Sequence, residues 1–414
     1  MRLSVATNFD PFLIESIKGY PVVELFGKLR EDAAGGGRAS YQLAPVTRKE
    51  FAEHVRQARD AGIGFNYLLN ASCLGNREIT RAGQRDIEEI AGWLCEIGVD
   101  SVTLASPGLL KLVKTRYPHL QVRISVFAGV DRVRKARMWE EMGADCIVLD
   151  SILVNREFQT LARIRKSVSC DLELLANNNC LSACALSPSH MNALAHAGQS
   201  WHGNKGFFID WCFLKCTEMK LRDPVNYIRS EWIRPEDTRL YEELGYDLFK
   251  IAERDIPTPI MTARVKAYAE RRYDGNLLDL VQPFAFGGVE EGERHYRRGI
   301  RWFLRHAVRP LLVNPARMLS LKRLADVLGM TRPVKGTPPV FVDNRALDGF
   351  MERFLEEGCR DADCEACRWC HDFAAKAVRL DEAHRETALR QFDALFEALD
   401  GGAMWRYFPE GRRK

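Results

Sequence analysis

SVTLASPGLLKLVKTRYPHLQVRISVFAGVDRVRKARMWEEMGADCIVLD, residues 101–150, reads as strand, helix, strand, helix, strand. SVTLAS (101–106), QVRISVF (121–127) and DCIVLD (145–150) are short apolar runs rich in β-branched residues. The amphipathic VRKARMWEEMG precedes the last of them, with Asp131 as its expected N-cap and Gly143 as its end. Strands joined through helices pair in parallel, because a parallel crossover needs a dozen or more residues. The alternation continues on both sides with LSVATN (3–8), PVVELFG (21–27), GFNYLLN (64–70), LELLAN (172–177) and DLFKIA (247–252). In RDIEEIAGWLCEIG (85–98), Ile87, Ile90, Ala91 and Leu94 fall on one helical face. Eight strands separated mostly by helices predict an α/β fold, a (β/α)8 TIM-barrel-like domain over residues 1–285. A doubly wound open sheet is the competitor, but no glycine-rich phosphate loop follows the first strand.

The 414-residue chain is 46% hydrophobic and 28% charged, the balance of a globular protein. No apolar stretch approaches the roughly 18 residues of a membrane span. MRLSVATNFDPF opens as a strand rather than a signal sequence, so a cytoplasmic location is expected. Twelve cysteines in such a compartment are expected to remain thiols. A net charge of +4 is too mild to imply nucleic-acid binding.

Eight of the cysteines fall in two clusters. Cys180 and Cys184 form one C-x3-C pair directly after the seventh strand, and Cys212 and Cys216 form another before the eighth. Thiolates one helical turn apart converge on one centre, and four suit either structural zinc or an iron–sulfur cluster. Cys95 and Cys146 sit in apolar patterns and read as core fillers.

Barrel enzymes place their chemistry at the C-terminal ends of strands. Those ends are expected to carry Asn8, Glu24, Asn70, Ser106, Asp150 and the run Asn177-Asn178-Asn179. Glu24 and Asp150 are candidate general bases, or partners of nearby arginines and lysines. Lys250, Glu253 and Arg254 in FKIAERD either anchor an anionic substrate, with the guanidinium as a two-pronged donor, or form an ion-pair ring closing the barrel. His202 and Asn178 are weaker candidates for substrate contacts.

Beyond residue 285 the character changes. Residues 290–329 are rich in arginine and aromatics, which predicts either a basic face (294–323) for an acidic partner such as RNA or a helix with solvated arginines. PVKGTPP (333–339) reads as a linker. CRDADCEACRWCH (359–371) then brings Cys359, Cys364, Cys367 and Cys370 together in a smaller, mainly helical C-terminal module, making 286–414 a second unit. The spacing favours a ferredoxin-type cluster over zinc, for which His371 is a substitute ligand.

ELLANNNCLSACALSPSH (173–190), CFLKC (212–216) and EWIRPEDTRLYEELGYDLFKIAERD (231–255) together resemble the collagenase-like peptidase U32 family. The resemblance covers roughly residues 1–285. It implies a barrel whose Cys180, Cys184, Cys212 and Cys216 hold a 4Fe–4S cluster, with Cys170 as a substitute ligand. Several members are oxygen-independent hydroxylases acting on RNA or ubiquinone precursors, some drawing oxygen from prephenate. The first expectation is therefore an iron–sulfur enzyme that hydroxylates, or otherwise modifies by redox chemistry, an anionic small molecule, served by an electron-donor protein and open to a partner subunit. An RNA-modifying hydroxylase docking through the basic segment is the alternative. A peptidase is the third, but there is no G-x-S-x-G elbow and no H-E-x-x-H motif. Cys73 would have to serve as nucleophile with His190, His196 or His202.

Overall fold

The computed structural model describes residues 1–203, 206–284, 312–330, 337–360 and 362–406. Eight strands close into a barrel: β1 (Arg2–Ala6), β2 (Val22–Gly27), β3 (Gly64–Leu69), β4 (Ser101–Leu104), β5 (Gln121–Ile124), β6 (Cys146–Val148), β7 (Asp171–Leu175) and β8 (Leu248–Ile251). Every neighbouring pair is parallel, including β1 with β8, so the sheet has no free edge. The α/β (β/α)8 expectation holds strand for strand.

Several strands end earlier than their apolar runs because the next residue caps a helix. Ser106 accepts the Leu109 N–H at 3.4 Å and starts Pro107–Arg116, with proline in the first turn where its missing N–H costs nothing. Helix Arg81–Glu96 is capped by Thr80 and buries Ile87, Ile90, Ala91 and Leu94 as its period predicts. Asp131 is not the cap of Val133–Met142. Its carboxylate is turned onto Arg132 (2.9 Å) and Lys135 (2.9 Å), and these cations hold it well below the usual carboxylate range.

The barrel interior carries a polar layer. Glu24 lies in the middle of β2, not at its C-terminal end. It accepts from Ser4 (2.9 Å), Asn66 (3.2 Å) and Ser101 (3.0 Å), and pairs with Arg123 at 2.8 Å. Lys250 reaches Glu173 at 3.6 Å and stands over the Phe26 ring, while Arg123 also donates to the buried Cys146 sulfur at 3.3 Å. These placements are those of the ion-pair ring. A buried charge losing its partner is costly. Glu24→Gln, which removes the nearer of Arg123's two carboxylates and leaves it only Glu173 at 4.0 Å, is therefore expected to lower unfolding free energy by about 1–3 kcal/mol in urea titrations.

Packing does not break at residue 285. Trp232 stacks on Phe350 with centroids 5.3 Å apart. Buried Arg234 donates to the Asn344 carbonyl at 2.7 Å and pairs with Asp237 and Asp348. One apolar core runs from the barrel into Phe350, Phe354 and Phe373. A second joins Leu214 and Leu221 of the helix Trp211–Arg222 to Leu324 of Pro315–Val327 and to Phe392 and Leu395 of Glu382–Asp400. The C-terminal region also adds a small antiparallel pair, β9 (Val340–Val342) with β10 (Val378–Leu380). Most of the basic segment, up to residue 311, lies outside the described residues. Among the described residues no helix is long and apolar enough to cross a membrane.

Candidate iron–sulfur site at the barrel mouth

The turn after β7 is fixed by its three asparagines. Asn177 staples two strand ends, donating to the Ala252 carbonyl (3.0 Å) and accepting the Ala252 N–H (2.7 Å). Asn178 donates to Ser151 (2.8 Å) and accepts the Cys180 N–H (2.9 Å), which sets the first cysteine at the mouth. Ala183, between Cys180 and Cys184, adopts φ +46°, strained for a residue with a Cβ, and its N–H bonds the Ile152 carbonyl at 3.0 Å.

Cys212 and Cys216 lie one turn apart at the start of Trp211–Arg222, whose N-cap Asp210 accepts the Phe213 N–H at 2.9 Å. Lys220 continues the same helical face one turn on. Its buried ammonium donates to Asn179 Oδ1 at 2.8 Å and to the Asn179 carbonyl. The thiols sense one another: Cys180 feels Cys216 and Cys184, and Cys212 feels Cys184 and Cys216. Burial, reinforced by these neighbours, pushes the Cys180 thiol up to about 12, and it raises Cys212 and Cys216 as well. Lys220 opposes the shift at Cys180 and Cys216, and Arg38 opposes it at Cys180.

Neighbouring thiols do not ionise together unless a cationic group joins them. The donor set fits a 4Fe–4S cluster, whose irons would supply that charge. As the side chains stand, no three His, Cys, Asp or Glu among the described residues could hold a single metal ion. The four thiols share an electrostatic neighbourhood rather than one coordination point. Cys170, at the N-terminal end of β7, is the whole strand away from this mouth.

Arg38, which acts on Cys180, belongs to a group of cations at the mouth. Lys28, fully buried, pairs with Asp32 at 2.8 Å, and Tyr67 donates to the same carboxylate at 2.7 Å. The run Gly35-Gly36-Gly37 passes over them. A Cβ on Gly36 would come within 2.9 Å of Asn70 Oδ1 and 3.1 Å of Lys28 Cδ, so the backbone approaches as only glycine allows. Arg38 pairs with Glu253 at 2.6 Å. Glu253 itself sits at φ +87°, a strained conformation that follows β8. Next to it Arg254 is buried, and its Nη1 has no hydrogen-bond partner. Burial, then Arg38, pulls this guanidinium down to about 9, which leaves it cationic at neutral pH.

Of the residues expected at strand ends, Asp150, Glu253 and Arg254 are at the mouth, whereas Glu24 and Lys250 belong to the interior ring. Lys28, Asp32, Arg38 and Lys220 were not anticipated. A readable signal existed for Lys220, at i+4 and i+8 from the two cysteines, and for the glycine run after the second strand.

Asp150, at the end of β6, is buried with Oδ1 unpartnered. Burial, with Asp131 adding, raises its pKa from 3.8 to about 6. A carboxyl raised in the folded state ionises first in the unfolded chain, so stability is lost as pH climbs through this window. Asp150→Asn is expected to raise stability by roughly 1–3 kcal/mol at pH 7, with no gain at or below about pH 4. Denaturant midpoints across pH 3–8 measure it.

The peptidase arrangement is not assembled around Cys73. Its sulfur takes the Gly75 N–H at 3.4 Å, and the imidazoles of His190 and His196 are engaged by Asp210 (3.0 Å) and Gln199 (2.9 Å). All twelve cysteines are free. Of the C-terminal four, Cys359 and Cys370 lie against the barrel's core: Cys359 N–H bonds Glu157 at 2.6 Å, and Cys370 senses Cys364 and Cys367.

The model of peptidase family U32 matches residues 38–270. The uncharacterized protease MJ1657 of Methanocaldococcus jannaschii is 31% identical over 84% of this chain and 86% of its own length. The tRNA hydroxylation protein P of Escherichia coli is 24% identical over 31% of this chain and 28% of its own. Its Haemophilus influenzae counterpart is 24% identical over 41% of this chain and 36% of its own. The U32 peptidase Mk0906 structure aligns with 61% of this chain and 93% of that one, at 22% identity and a TM-score of 0.47. With the family's region spanning more than half of its length and a relative this similar along most of it, the chain belongs to peptidase family U32.

Proposed function

We propose that this protein is an iron–sulfur enzyme that hydroxylates, or modifies by a related redox step, an anionic small molecule without using molecular oxygen. The observation that carries the reading is one juxtaposition. Thiols that sense one another stand at the mouth of the barrel with Arg38, which acts both on Cys180 and on the buried Arg254 guanidinium, whose Nη1 has no hydrogen-bond partner. Cys180, Cys184, Cys212 and Cys216 would hold a 4Fe–4S cluster, which supplies one-electron chemistry when bound.

The chain's own groups account for the rest. Arg254 binds and orients a carboxylate or phosphate, since a paired N–H donor set matches either anion. Arg38 stands close enough to act on the same anion. Asp150 accepts or returns a proton at its unpartnered Oδ1. Lys220, donating to Asn179, holds the loop that presents Cys180 and offsets thiolate charge.

Similarity to proteins named for tRNA hydroxylation favours RNA as the second reading, with a nucleotide phosphate as the anion. The test is to purify the protein without oxygen and measure iron, acid-labile sulfide and zinc per chain. Binding of malonate, phosphate and tRNA is then measured at two salt concentrations. Iron with equal sulfide supports the redox reading. Zinc alone would defeat it. Tight tRNA binding that falls steeply with salt would select the second reading.

A further inference from the structure

Arg156 is a buried cation that makes no ion pair among the described residues. Its Nη2 donates to the Ile228 carbonyl at 2.7 Å and to the Ser230 carbonyl. Its guanidinium lies over Trp232, Phe350 and Phe354, 4.9–5.5 Å from the ring centroids. Burying a guanidinium costs desolvation, which ring faces and two carbonyls offset in part and nearby negative charge offsets further. Both Cys359 and Cys370 are within its electrostatic reach, as is the carboxyl of Glu231.

Two further arginines approach the same cysteines. Arg353 donates to Cys367 Sγ at 2.7 Å. Arg229 bonds His371 Nε2 and Glu365 at 3.3 Å each and acts electrostatically on Cys370. Three arginines around four clustered cysteines suit a net-negative metal–thiolate group, and cation contacts to its sulfurs tune its potential.

The same arginine leads to the central site. Ser230, whose carbonyl Arg156 holds, forms an isolated antiparallel bridge with Leu181. The adjoining Glu231 N–H donates to the Cys180 carbonyl at 3.1 Å. Cys359 N–H bonds the carboxylate of Glu157, the residue next to Arg156, so hydrogen bonds and short stretches of chain lead from Cys359 through Arg156 and Ser230 to Cys180.

We propose that Cys359, Cys364, Cys367 and Cys370 hold a second iron–sulfur centre that passes single electrons to the central one across the Ser230–Leu181 bridge, with Arg156 as the positioning residue between them. The relay rests on the central cysteines holding a cluster. Cys364 is exposed, which puts the entry point on the surface. In each transfer a one-electron donor protein is oxidised by one electron. The C-terminal centre is reduced and reoxidised, and the central centre gains that electron. No bond is made or broken and no proton moves.

The test compares anaerobic full-length protein with a Cys364→Ser/Cys367→Ser variant, Cys364 being exposed and Cys367 half-buried. The native chain is expected to hold about eight irons and the variant about four. On full reduction the native protein should show a magnetic interaction between two centres in its paramagnetic resonance spectrum, absent from the variant. Reduction of the central centre by a low-potential ferredoxin should slow at least about tenfold in the variant. Arg156→Met should lower the midpoint potential of the C-terminal centre, with Arg156→Lys restoring most of it, a readout that mere packing would not move. About four irons that survive in the variant, with or without zinc, would overturn the relay and leave the central cluster standing. About four irons that disappear in the variant would overturn the central reading and the relay with it, as would a native protein without iron. Eight irons with no magnetic interaction, or with unslowed reduction in the variant, would overturn the relay alone.

Discussion

Exchanging Cys216 for serine is expected to strip the central site of its iron and to lower turnover by more than about 100-fold, beyond what loss of a supporting contact costs. Cys216 is the most informative of the four because it sits among the others: it senses Cys184, is sensed by Cys180 and Cys212, and lies one turn from Lys220. Its sulfur donates to the Phe213 carbonyl at 3.3 Å, a bond a serine hydroxyl makes equally well. The helix is therefore expected to keep its fold, and circular dichroism and thermal unfolding of the apo variant should match the apo parent. Cys146→Ser and Cys95→Ser are the controls, since Cys146 is buried on β6 beneath Arg123 and Cys95 packs against the barrel's outer core. Both should keep full iron. A Cys216→Ser protein with undiminished iron would remove this residue from the ligand set and, with it, the convergence of both C-x3-C pairs.

The barrel was legible because every strand is a short apolar run ended by a polar or helix-capping residue, and the helical periods between them are clean. That Cys180, Cys184, Cys212 and Cys216 come near one another was legible from their spacing. The fate of Glu24 and Lys250 was not. Both lie within apolar runs near strand ends, and only closure of the barrel, which sets Ser4 level with both Glu24 and Lys250, turns them into one interior layer. Arg123, which completes it, looks like an ordinary alternating polar residue in QVRISVF. Arg156 was equally silent. It sits in VNREFQT, with nothing in its own segment to announce three aromatic rings from residues 232, 350 and 354. Contacts made by residues 75 to 200 positions apart leave no local pattern, and the continuity of the core across residue 285 went unread for the same reason. The polar character of PVKGTPP marks a linker in sequence, but the segment after it packs on the barrel, and the segment before it packs with Trp211–Arg222 and the last helix.

Arg254→Met is expected to weaken binding of a small dicarboxylate such as malonate by about 100-fold while making the protein more stable by roughly 1–3 kcal/mol, because the two effects draw on one buried charge. A guanidinium with no partner at Nη1, pulled down to about 9 by burial and by Arg38, is held at a cost that packing elsewhere offsets. Methionine fills much of the same volume without the charge, so the cost is relieved. An anion entering the mouth recovers it in the native protein, which is why affinity and instability reside in the same side chain. Arg254→Lys separates charge from shape. A lysine keeps the cation but not the forked donor geometry, and should retain only part of the affinity. The neighbouring Glu253, held in its strained conformation with its carboxylate on Arg38, keeps a second cation from collapsing onto the site. Calorimetric titration with malonate and phosphate, alongside thermal unfolding, measures both quantities. If Arg254→Met loses stability together with binding, the guanidinium is part of the closing ion-pair ring. If it gains stability and keeps its affinity, the anion site lies elsewhere on the barrel mouth. Gain of one with loss of the other is the outcome that a charge stored for a substrate requires.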